Sequence, residues 1–290
     1  MKRLAPALAV LVLLAVPLPR IARVQAAEPA PPRPRVVCVS KQINEFLYAI
    51  GAQGDLVARD LTSVYPPGIR SLTSVGYHRA LSAEGILSVR PTLFLTDSNV
   101  GPDAVIEQVR SVGIPVVVLR PGATPDSAQA LMAELGRRFH READAARVIE
   151  RWRAGMRAAL ADSARRAAKR PRVLFMHFGQ IVNNYLGIKS GTPADHVLRW
   201  AGGINAIDSL GGMSRLTPEA IATLAPDVIV ATDVGFDRVG SAEKFARLPG
   251  VALTPAARNA RIYRIDESEI MYYGPRTPGA IRHLADLIHR

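Results

Sequence analysis

Two stretches of this chain are one unit written twice. Leu81-Ser-Ala-Glu-Gly-Ile-Leu-Ser-Val-Arg-Pro-Thr-Leu-Phe-Leu95 aligns with Leu216-Thr-Pro-Glu-Ala-Ile-Ala-Thr-Leu-Ala-Pro-Asp-Val-Ile-Val230, with identical or chemically similar residues at more than half of the positions. Each copy reads as a hydroxyl N-cap and a helix of about two turns. An X-Pro step stops the helix, and an apolar run of β character follows. One copy in each half constrains the chain to two similar lobes rather than to a solenoid. Its 290 residues leave about 100–150 for each lobe, which is domain scale.

The surrounding pattern agrees. Short apolar runs at 36–39, 56–58, 92–96 and 116–119 alternate with helical segments at 43–50, 82–88 and 103–112, the first of them stopped by Gly51. A second series begins with a strand at 173–176, a helix at 193–201 and a strand at 228–232. Strands alternating with helices predict parallel sheet built from βαβ units. The fold class is therefore α/β, with two Rossmann-like lobes carrying parallel sheets. Between them, Ala, Leu, Arg and Glu dominate from Thr124-Pro-Asp to Pro171. Such a stretch predicts a helix of about 45 residues, roughly 65 Å at 1.5 Å per residue, with Gly136 and Gly155 as places to bend. The expected organisation is a leader at 1–27, a first lobe at 28–123, a linking backbone helix at 124–170 and a second lobe at 171–290.

The leader reading rests on Lys2 and Arg3, an apolar stretch to Leu18, and small residues around Ala26 and Ala27. That is the pattern of an export signal, and the apolar stretch is short for a membrane span. Cys38 is the single cysteine, so it has no partner for an internal disulfide; it falls in a buried-strand pattern and reads as a small core residue. The formal charge of +12 includes four basic leader residues. Export argues against nucleic acid, and many of the arginines fall between 137 and 172, where they read as a solvated helix face.

Several motifs carry a resemblance. Asp60-Leu-Thr-Ser-Val-Tyr-Pro66 and Val75-Gly-Tyr-His-Arg-Ala-Leu-Ser-Ala-Glu-Gly-Ile-Leu87 are similar to those of periplasmic haem-binding proteins that serve ABC importers. Ala201-Gly-Gly-Ile-Asn-Ala206, Leu253-Thr-Pro-Ala-Ala-Arg-Asn259 and Gly274-Pro-Arg-Thr-Pro278 resemble the wider class of helical-backbone, class III binding proteins. The resemblance implies a monomeric periplasmic protein that carries haem, without catalysis, to a permease dimer in the inner membrane. It implies Tyr77 as the haem-iron ligand, with Arg79 as the partner of its phenolate. The chemistry is coherent, since a phenolate oxygen suits ferric iron. A phenol of pKa about 10 also needs a nearby cation to ionise at neutral pH.

His177 closes the strand that opens the second lobe, a position from which open α/β sheets meet ligands. It is either a second iron ligand or cleft contact, or a histidine satisfied by its surroundings. His78 is expected at the cleft or in solvent, and His196 is expected to be structural. In relatives an arginine often follows the strand at 228–232 and holds a propionate; Val234 stands there in this chain. Lys189, Arg238 or Arg276 are candidates to replace it, Arg276 reading more readily as a turn residue. Tyr65, Tyr185 and Tyr272, with Met271 and Tyr273, are candidate walls for a flat apolar ligand. Glu84 and Glu219 hold equivalent repeat positions early in their helices, and the resemblance implies that they dock on the two-fold permease.

Two alternatives stay open. The same fold binds siderophores or cobalamin in related proteins. A periplasmic enzyme using His177 with Asp195 is the other, although no nucleophile elbow, phosphate loop or Cys/His metal cluster is present.

Overall fold

The structure is a computed structural model, and it describes residues 33–120, 122–166, 169–178 and 185–290. The expected leader at 1–27 lies outside the described residues. The first lobe runs β1 (Val36–Val39), α1 (Lys41–Ala49), β2 (Leu56–Arg59), β3 (Thr73–Ser74), α2 (Ala83–Leu87), β4 (Leu93–Thr96), α3 (Asp103–Ser111) and β5 (Val116–Val118). Its sheet is wholly parallel, in the order β3-β2-β1-β4-β5. The central strand β1 is buried on both faces, which is why it reads as unbroken Val-Val-Cys-Val. Ser40 then turns the chain: its Oγ accepts from Ile43 N at 3.3 Å and caps α1.

Two helices follow, α4 (Pro125–Arg138) and α5 (Glu142–Arg166). The single helix expected over 124–170 is thus corrected to a pair. The break is at His140, whose φ of 52° lies in the left-handed region that an α-helix cannot contain. Gly136 permits the corner, because a Cβ there would come within 2.6 Å of Ala145 Cβ. Gly155, by contrast, lies within unbroken α5. The second helix is the spine. Its Ala145 and Val148 join the first lobe's core, and its Trp152, Met156 and Ala159 join the second's.

The second lobe runs β6 (Arg172–Phe178), β7 (Tyr185–Ile188), α6 (Pro193–Trp200), β8 (Ile204–Asn205), β9 (Met213–Arg215), α7 (Pro218–Leu224), β10 (Val228–Thr232), α8 (Asp233–Val239), α9 (Ala242–Ala246), α10 (Pro255–Arg258), β11 (Ile262–Ile265), α11 (Glu267–Ile270) and α12 (Thr277–Ile288). Its sheet, ordered β11-β10-β6-β7-β9 with β8 beside β6, is mixed rather than parallel. β10 runs parallel to β6 and β11, while β7 is antiparallel to both β6 and β9.

The duplicated unit is real in backbone detail. Ser82 Oγ caps α2 by accepting from Gly85 N, and Thr217 Oγ1 caps α7 by accepting from Ala220 N. Ile86 and Ile221 are each fully buried. Arg90 and Ala225, one residue before the matched prolines, both take left-handed φ, 47° and 42°. Glu84 and Glu219 are exposed in the first turn of their helices.

Candidate functional site

A cleft of about 550 Å³ lies where the carboxyl ends of strands from both lobes converge, within the usual range for small-molecule sites. Ser40 follows β1, Asp60 follows β2, Asp97 follows β4, His177 ends β6 and Glu267 follows β11; all five line it. This is where open α/β sheets place ligands, because the strand ends leave backbone and helix starts free there.

The first lobe supplies a polar wall. Asp60 is buried, and its carboxylate accepts from Thr62 N at 2.8 Å and from the hydroxyls of Thr62 and Ser63. That fixed carboxylate lies 3.9 Å from His78 Nδ1. Burial is the main influence on His78 and holds its pKa below the usual imidazole value, with Asp60 pulling the other way. The Tyr77 ring packs on His78 with centroids 4.4 Å apart. Gly76, at φ 103°, bends the chain into this loop, and Ala80 N closes the turn on Tyr77 O at 2.8 Å. Tyr77 is half-buried, lines the cleft, and its hydroxyl has no hydrogen-bond partner among the described residues.

Arg79 is held by Asn99. Its Nε and Nη2 both donate to Asn99 Oδ1, at 3.0 and 2.6 Å. Asn99 is anchored in turn by its own N–H on Asp97 Oδ1 at 2.7 Å. The amide is neutral, so Arg79 keeps its full charge at the cleft wall.

At the floor, Lys41 from α1 meets Glu267 from α11 at 3.0 Å and ties the lobes together. Burial pulls the Glu267 pKa up, but the charge and hydrogen bond of Lys41, with smaller help from His177 and His78, leave the carboxyl below its usual value. His177 Nδ1 is 3.1 Å from Thr232 Oγ1. That contact leaves Nε2 for the cleft, and burial keeps the ring's pKa below its usual value. Leu186, Met213 and Met271 give the second lobe's side an apolar surface.

Tyr272 also lines the cleft, but its hydroxyl is committed: it donates to Glu45 Oε1 at 2.7 Å. Glu45 is 3% exposed and is also gripped by Arg276, whose guanidinium lies 3.6 Å over the Tyr65 ring. Burial lifts the Glu45 carboxyl above its usual range even with the guanidinium against it. Arg276 is therefore structural, and Tyr65 is its platform rather than a cleft wall. Tyr185 packs on the second lobe's core, and neither it, Lys189 nor the exposed Arg238 is among the cleft-lining residues. Tyr273 is buried in the first lobe's core, with its hydroxyl on His196 Nδ1. Asp195 is buried in a knot with Arg199, Asn205 and Gly191 N, so it serves the α6 start rather than His177.

Sequence reasoning missed Lys41, Asp60, Asp97, Asn99 and Glu267. The signal was available: every one of them but Asn99 lies within two residues of a strand's carboxyl end.

Residues 36–269 match the periplasmic binding protein family. The chain is 31% identical to the periplasmic heme-binding protein RhuT from Roseiflexus sp. RS-1, with a TM-score of 0.82 over 89% of this chain and 98% of that one. It is 32% identical to the periplasmic heme-binding protein BhuT in complex with two hemes, with a TM-score of 0.80 over 88% and 98% of the two chains. A curated relative, the vitamin B12-binding protein of Yersinia pestis (strain Pestoides F), is 29% identical over 222 residues, 74% of this chain and 77% of that one. The match over most of its length and the two-lobed α/β architecture establish that this chain belongs to the periplasmic binding protein family.

Proposed function

We propose that this chain captures ferric haem in the periplasm, holds its iron through Tyr77, and delivers it to an ABC-type importer without chemical change. The observation that carries the reading is Tyr77 itself. It offers the cleft a phenol with no hydrogen-bond partner among the described residues, and the same lining holds Arg79, which is bonded to the neutral amide of Asn99. A phenolate oxygen is a suitable hard ligand for ferric iron, whose own charge favours the ionised form once it is bound. His177 presents a neutral imidazole nitrogen from the second lobe, suited to serve as second ligand or cleft contact. Leu186, Met213 and Met271 offer an apolar surface to a flat macrocycle. The haem-binding neighbours support the same ligand. The leader at 1–27 would direct export, and Glu84 and Glu219 would meet the permease dimer.

Cobalamin is the second reading, favoured by the curated relatives. Titration of the purified protein with ferric haem and with cyanocobalamin separates the two. Saturable haem binding at least about a hundredfold tighter than cobalamin, a gap of about 2.7 kcal/mol, supports the proposal; the reverse order rejects it.

A further inference from the structure

The protein's excess positive charge is not in the cleft. Asp60, Asp97 and Glu267 line the cleft against Lys41 and Arg79. The excess lies on the α4–α5 segment, where residues 124–170 hold eleven Lys/Arg against six Asp/Glu. Most of these arginines are spent on local pairs, such as Arg137 with Glu134, Arg147 with Asp144 and Arg165 with Asp162. Arg151 of α5 and Arg282 of α12 are exposed and have no acidic partner among the described residues.

These two arginines line the same groove, a second cavity of about 620 Å³ between α5 and the start of α12. At Gly155 the two helices pack closely, since a Cβ there would sit 3.0 Å from Pro278 Cβ. At Gly279 a Cβ would meet nothing within 4 Å, so the groove is open there. One acid, Glu269, also lines the groove. Glu269 is 2.9 Å from His283 Nδ1, and the Arg276 guanidinium that borders the groove is held by Glu45. Arg151 and Arg282 outnumber Glu269 in the lining and give the groove a cationic excess, and guanidinium geometry favours phosphate.

We propose that this groove binds the phosphate headgroup of an anionic phospholipid, so that the protein is held at a membrane surface while its cleft remains free. An open groove continuous with an arginine-bearing helix face suits a headgroup that projects from a bilayer, and anionic leaflets attract such clusters. The proposal stands apart from the identity of the cleft's ligand.

The test is co-sedimentation of the full exported chain with vesicles of phosphatidylglycerol in phosphatidylcholine, against phosphatidylcholine alone, at low salt. Wild type should bind only the anionic vesicles. The double variant Arg151→Gln with Arg282→Gln should bind at least about tenfold more weakly, and Gly279→Glu, which places a carboxylate in the groove, should do the same. The charge-matched control Arg147→Gln with Arg165→Gln should bind like wild type, and haem binding should be unchanged in all of them. Equal loss in the control would make the attraction a diffuse net-charge effect and overturn the site. Absence of vesicle binding by wild type would overturn it too. Inorganic phosphate at a few millimolar displacing the protein completely would assign the groove to free phosphate instead.

Discussion

Lys41 Nζ and Glu267 Oε1 meet at 3.0 Å across the cleft floor, one from each lobe. The pair is about three-quarters buried on both sides, so removing one partner strands a charge that water only partly reaches. Lys41→Met should destabilise the protein by about 1–3 kcal/mol, read by denaturant unfolding. The pH dependence follows in sign. Glu267 has a folded-state pKa below its usual value. Its contribution is therefore complete above the ordinary carboxylate range and is lost as pH falls through the depressed value. Lys41→Met should flatten the acid limb of stability against pH; an unchanged limb would mean that the pair contributes nothing.

Glu45 and Arg276 form the deeper tie. Arg276→Gln leaves a carboxylate that is 3% exposed and has, among the described residues, the Tyr272 hydroxyl as its remaining side-chain partner. Loss of one partner in so buried a pair costs about 3–5 kcal/mol. Glu45→Gln, which keeps the shape and removes the charge, should cost less. Thermal unfolding of the two variants checks the order, and equal effects would contradict it.

Arg79→Ala should keep iron ligation but raise the pH at which the tyrosinate bands appear, since the bound phenolate loses a cation that lines the same cleft. His177→Ala should change the spin state or the haem-to-protein ratio. Any wild-type feature that depends on His177 should persist at pH 6.5 and vanish only at lower pH, because burial depresses the imidazole pKa. A pH titration by visible absorbance reads both. An Arg79 profile identical to wild type would detach that residue from the phenolate.

Glu84→Ala with Glu219→Ala should leave haem affinity intact and lower transport several-fold in a reconstituted importer. Both side chains are exposed in equivalent first turns, so each single change should cost less than the pair. The defect should shrink as salt is raised, because screening already weakens the wild-type contact. Wild-type transport by the double variant at low salt would reduce both residues to helix-start carboxylates.

The sequence exposed its architecture through local signals. The repeat carried its hydroxyl caps and its X-Pro stops in both copies, and the structure adds a buried isoleucine and a left-handed residue to each. The buried run of β1 and the Gly76–Arg79 loop were equally legible, because neighbours in the chain define them. The break at His140 was not, since a left-handed residue inside an Arg-rich helical pattern carries no compositional mark. Nor was the antiparallel β7, whose four residues have no pattern that fixes direction. The site was half legible. Tyr77, Arg79, His177 and Tyr272 do meet in one cleft. Arg79's bond to Asn99 and Arg276's bond to Glu45 join residues 20 and 231 positions apart. Only the fold brings such partners together.

Whether Tyr77 holds ferric iron is read from the visible spectra of the haem complexes of wild type and Tyr77→Phe. Wild type should show tyrosinate-to-iron charge-transfer bands and Tyr77→Phe should lose them, with affinity falling at least about tenfold, or 1.4 kcal/mol. A Tyr77→Phe complex with the wild-type spectrum and affinity would contradict that ligation.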